Sequence, residues 1–143
     1  MSAALIAALF FTVALLVTTA YFLMGSVPLL VLKHDIPMDS RFVRGFFDTY
    51  YRVAMFTASA TAVSYVFAGW LLLAAGAAAL ALLAFILRSK VIPEMDALRA
   101  RIEVNGASAI PALRRMHVTA ILINLAQLVF IVWSLITVSL SLR

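Results

Sequence analysis

Residues 53–87 read VAMFTASATAVSYVFAGWLLLAAGAAALALLAFIL, thirty-five positions without a charged side chain. As one helix this run would be about 52 Å long, whereas the hydrocarbon core of a bilayer is about 30 Å thick. It is therefore too long for one span and slightly short for two. Two helices fit if the first begins near Phe46, with Arg52 snorkelling to the headgroups. Gly69 and Trp70 then mark a tight turn, since glycine frees the backbone and tryptophan favours the headgroup level. The rival is a single long tilted helix, which would leave three spans in the chain instead of four.

Before this run, Ser2 to Leu32 is also uncharged. It would span about 45 Å as a helix, so it must tilt, project or bend, and Pro28 is a candidate bend. No Lys or Arg precedes it, so it is expected to remain as a span and not to act as a cleaved signal. After the turn, Trp70 to Arg88 is rich in small residues (Ala74, Ala75, Gly76, Ala77, Ala78, Ala79, Ala81), which let membrane helices approach closely. Val91, Met95, Leu98 and Ile102 then recur at helical spacing, with Glu94, Arg99, Arg101 and Glu103 elsewhere, predicting an amphipathic continuation. Asn105-Gly106 is a stop signal. Ser108 is an expected N-cap, with Pro111 in the first turn of the last helix. The expected spans are about 3–32, 46–68, 70–90 and 113–140, within a single membrane domain covering 1–143.

Composition agrees with lipid as the solvent. The 143-residue chain is 66% hydrophobic and 12% charged, against about a quarter charged in soluble domains. It has no cysteine, which excludes disulfides and thiolate chemistry. Its net charge of +5 is explained by cytoplasmic connections, and no nucleic-acid partner is expected. Lys33, Arg41, Arg44, Arg52, Arg88, Lys90, Arg99, Arg101, Arg114 and Arg115 all lie in or beside the two connections; Arg143 alone lies elsewhere. Four spans put these charges on one side, which the positive-inside rule makes cytoplasmic. The expectation is an all-α, four-helix transmembrane bundle in the inner (plasma) membrane, N-out/C-out, with a cytoplasmic amphipathic helical extension after the third span. Trp70 and Trp133 then sit near the outer interface. Phe46, Phe47, Tyr50 and Tyr51 sit near the inner one as an aromatic belt.

Polar groups inside a membrane are costly. In the last helix His117 and Asn124 are seven apart and share a face, and Gln127 adjoins it. Such a stripe either lines a ligand site or proton path, or supplies interhelical hydrogen bonds worth about 1 kcal/mol each. Asp48 and Arg52, spaced i,i+4 with the acid first, predict a helical ion pair. His34, His117 and Asp96 are candidate metal ligands, and the two histidines could ligate haem. No HxxxH or HExxH spacing, P-loop or GxSxG is present.

Pro93, Met95 and Leu98, followed by Leu113, His117, Asn124 and Leu125, resemble the transmembrane protein 205-like family of small four-span membrane proteins of unknown function. Gly25 and the FFDTYYR segment fit more loosely. The first connection departs from the family's usual proline motif. The resemblance implies Pro93, His117 and Asn124 as marker positions and supplies no reaction. A looser likeness in layout is to four-span anthrone-oxygenase-like proteins, whose asparagine and tryptophan motifs are not evident here.

The expected function is therefore a non-catalytic helical module or accessory subunit. It would pack with a membrane-protein partner or as a homo-oligomer, and no cofactor is expected. The alternative is a membrane redox or ligand-binding enzyme that uses metal, haem or quinone around His117.

Overall fold

The computed structural model describes residues 2–31 and 37–141, with the backbone alone at 37–40 and 105–107. Among the described residues the chain is all-helical: α1 (Ala3–Leu29), α2 (Pro37–Phe67), α3 (Leu71–Asn105), a 3-10 turn (Gly106–Ala109) and α4 (Ile110–Ser141). α1, α3 and α4 are long and apolar enough to cross a membrane. α1 packs on α2, α2 on α3, and α4 closes the ring against both α3 and α1. Leu5, Tyr65, Leu73 and Val138 cluster at one end. The start of α1, the end of α4 and the α2–α3 turn therefore share that end, and the end of α1, the start of α2 and the 3-10 turn lie at the other.

Local chemistry sets the helix limits. Ser2 caps α1, its hydroxyl accepting from the Leu5 amide at 3.2 Å. Pro28 falls in the last turn of α1. Gly69 adopts φ +79, and the Trp70 and Gly69 amides donate to the Tyr65 and Val66 carbonyls at 2.9 and 3.0 Å. This is a Schellman ending, and it confirms the turn.

One expected boundary differs, and two helices extend beyond the expected spans. α2 opens at Pro37, ahead of the expected span from about 46; proline is pre-set for a first helical position, and Val43 buries a side chain from the added turns. α3 runs unbroken through Pro93 to Asn105, the expected continuation and stop. Its extension buries Val91, Met95 and Leu98 as the spacing predicts, and Pro93 is exposed. Ser108 lies within the 3-10 turn and does not directly precede α4, while Pro111 does occupy the first turn of that helix.

α1 buries Leu5, Ala8, Thr12, Leu15, Thr19, Phe22 and Ser26, alternating three and four residues apart. α4 repeats the alternation with Leu113, His117, Ala120, Asn124, Gln127, Ile131, Ser134 and Val138. A period of 3.5 is that of a left-handed helical seam. α2 presents small residues inward (Ala54, Thr57, Ala58, Thr61) and α3 answers with Ala74, Ala77 and Ala84. The most extensive contact in the bundle is between these two helices. Phe130 of α4 sits against Gly76 of α3, in the space a Cβ would take.

Candidate functional site

The FFDTYYR segment of α2, residues 46–52, holds the centre of the molecule. The helix turns successive side chains of this run to α1, α3 and α4. It was expected to form an aromatic belt facing the interface. Instead Phe47, Tyr50 and Tyr51 are buried in the core, because three neighbouring helices surround this part of α2.

Tyr50 donates its hydroxyl hydrogen to the Asn124 side-chain oxygen. The Asn124 amide donates to the Ala120 carbonyl at 2.7 Å. Both functions of a wholly buried asparagine are thereby used, as a low-dielectric interior requires. Thr19 of α1 lies beside the Tyr50 hydroxyl. The Tyr51 hydroxyl faces Asn124 but does not close a hydrogen bond. One turn nearer the connections, His117 meets Phe47 edge-on with ring centroids 4.9 Å apart. Phe47 in turn meets Phe22 edge-on at 5.0 Å, and Tyr50 stacks on Phe22 at 4.0 Å. Such aromatic pairs contribute about 0.5–1.5 kcal/mol beyond area burial.

α2 and α4 lie on a diagonal of the ring, where their backbones do not approach. Long side chains alone bridge them here. Toward the termini, Thr12 and Tyr65 share a hydrogen bond at 3.2 Å. A void of about 10 Å³ beside Thr12, Thr61, Tyr65 and Ser134 has the size of one water molecule.

Of the residues singled out in the sequence, His117, Asn124 and Gln127 share one buried face of α4. The Gln127 amide nitrogen has no hydrogen-bond partner among the described residues. Pro93 stands apart from them, exposed on α3. Asp96 is also exposed and takes two hydrogen bonds from Arg44, at 3.0 and 3.1 Å. That hydrogen bond, opposed by partial burial, holds the Arg44 guanidinium above its ordinary range. His34 lies outside the described residues. Among the described residues no group of three His, Asp or Glu side chains comes together.

The expected Asp48–Arg52 pair is present at 2.8 Å. The other oxygen of Asp48 accepts from Arg88 of α3 at 2.9 Å, a partner forty residues away that no local spacing reveals. Asp48 thus ties α2 to α3, and Arg44–Asp96 repeats the tie nearer the connections.

The arrangement leaves His117 and Asn124 with no exposed surface, so access to either would require parting α2 from its neighbours. The sizeable opening lies elsewhere, between α1 and α2 on the outside of the bundle. No family profile, curated protein or solved structure matches this chain.

Proposed function

We propose that this chain is a non-catalytic four-span membrane module, an accessory subunit of a larger inner-membrane assembly or a homo-oligomer. α2 supplies the fourth crossing, returning along the apolar α3 from the Gly69 turn. Its charged residues lie in its first half, beside the basic connections, and both termini lie on the non-cytoplasmic side. Membership of the transmembrane protein 205-like family is part of the same proposal. It rests on Pro93, His117, Asn124 and Leu125 occupying an amphipathic extension and a polar-faced last helix.

The observation that carries the reading is the division of α3 into two small-residue faces. Ala74, Ala77 and Ala84 are buried against the bundle, while Ala75, Ala78 and Ala79 are exposed beside Leu82. The outward face offers a neighbouring helix the same close approach that the inward face gives α2. Meanwhile the polar residues of α1, α2 and α4 are turned toward one another in a closed interior, as interhelical fasteners are.

Extraction in native lipid tests this. A stoichiometric protein partner or a defined homo-oligomer is expected, and Ala78→Trp should release it. A monodisperse monomer without partners contradicts the proposal.

The ligand-binding alternative draws on the buried Gln127 amide nitrogen, which has no hydrogen-bond partner among the described residues and so calls for an explanation. A haem spectrum or bound metal that disappears in His117→Ala would establish that alternative instead.

A further inference from the structure

The groove between α1 and α2 has a volume of about 860 Å³, inside the range of roughly 300–1,000 Å³ usual for ligand sites. Its walls are apolar and aromatic: Val17 and Tyr21 from α1, and Phe42, Phe46 and Val53 from α2. Gly45 forms part of the floor, and a Cβ built there meets nothing within 4 Å. Glycine inside a helix costs about 1 kcal/mol relative to alanine, and here its missing side chain keeps the groove open. Phe46 stacks on Phe22 at 5.5 Å, which fixes the inner wall.

Charge is placed at one end only. Arg41 lines the groove where α2 begins, at the end of the bundle that carries the basic connections. Its neighbouring arginines are occupied: Arg44 by Asp96, and Arg52 and Arg88 by Asp48. Arg41 is exposed and makes no ion pair among the described residues. A cation at headgroup depth above an apolar slot complements a molecule with a negative head and a hydrocarbon tail.

We propose that the α1–α2 groove is a binding site for an anionic phospholipid. An acyl chain lies along Tyr21, Phe42 and Phe46, and the phosphate sits on Arg41. This is independent of whether the chain is an accessory subunit. The site concerns the lipid-facing side of α1 and α2, opposite in character to the small-residue face of α3.

Native mass spectrometry of the full chain, released from nanodiscs of equimolar phosphatidylglycerol and phosphatidylcholine, tests it. One retained lipid per chain is expected, with phosphatidylglycerol preferred about fivefold, as one surface-level basic residue provides. Arg41→Gln should abolish the preference and still retain lipid. Arg101→Gln, which removes an exposed arginine outside the groove, should change nothing. Gly45→Phe should cut retention of both lipids by filling the slot. Thr49→Phe fills it from the next turn if the first variant folds poorly, with circular dichroism as the check on folding. Equal retention of the two lipids by the unaltered chain overturns the proposal. So does undiminished preference in Arg41→Gln, unchanged retention in both filled variants, or a lipid-free dimer joined through this groove.

Discussion

The Tyr50 hydroxyl of α2 donates to the Asn124 side-chain oxygen of α4, bridging two helices that face each other diagonally across the bundle. The Tyr51 hydroxyl also faces Asn124 but closes no hydrogen bond there.

Tyr50→Phe should therefore destabilise the bundle by about 1–2 kcal/mol, because it leaves a buried acceptor unsatisfied. Tyr51→Phe should cost less, as its hydroxyl closes no hydrogen bond. Combining Tyr50→Phe with Asn124→Leu should cost less than the sum of the single changes. Denaturant unfolding in bicelles measures all of these. Strict additivity would show that the two side chains do not interact.

Asp48 separates its two arginines by function. Arg52 shares its helix, and its side chain is 65% exposed; Arg88 comes from α3 and its side chain is 35% exposed. Arg88→Gln should lower stability by about 1 kcal/mol at most, and Arg52→Gln by less. Both losses should shrink in 1 M salt, where screening acts over about 3 Å. A larger loss from Arg52→Gln would mean that the α2–α3 tie contributes little.

On α3, opposite faces should respond differently to the same added bulk. Gly76→Leu displaces Phe130 of α4 and should cost about 1–3 kcal/mol, part of which Phe130→Ala should restore. Ala78→Leu, on the exposed face, should leave monomer stability within about 0.5 kcal/mol while weakening any assembly. Unfolding and native-gel migration separate the two effects.

What could be read from the sequence follows from how a membrane protein marks its interior. In α1 the inner and outer faces are equally apolar, so hydrophobic periodicity cannot tell them apart. Thr12, Thr19 and Ser26 mark the inner face at seven-residue spacing. That signal is present in the sequence, but small hydroxyls are easily passed over, since they can bond to their own helix as Thr12 does to the Ala8 carbonyl. His117 and Asn124 were legible because both are large, polar and seven apart.

Their partners were not legible. Tyr50 and Tyr51 have the chemistry of an interfacial belt as well as that of a buried hydrogen-bonding aromatic. Which applies depends on how many helices surround α2. The Asp48–Arg52 pair follows from helical geometry alone, whereas Arg88 reaches the same carboxylate only because Gly69 folds α3 back along α2. The first turns of α2 were not legible for a related reason. They carry charges and resemble a connection until Val43 acquires a core to face.

The absence of native cysteine permits a direct test of the four crossings. Single cysteines at Ser2, Ala68, Ala100 and Ser141 should react with a membrane-impermeant maleimide in intact cells as follows: Ser2, Ala68 and Ser141 label from outside, and Ala100 labels only after permeabilisation. Labelling of Ser2 and Ala100 in the same compartment, with Ser141 in the other, would contradict the account. It would mean that α2 does not cross the bilayer.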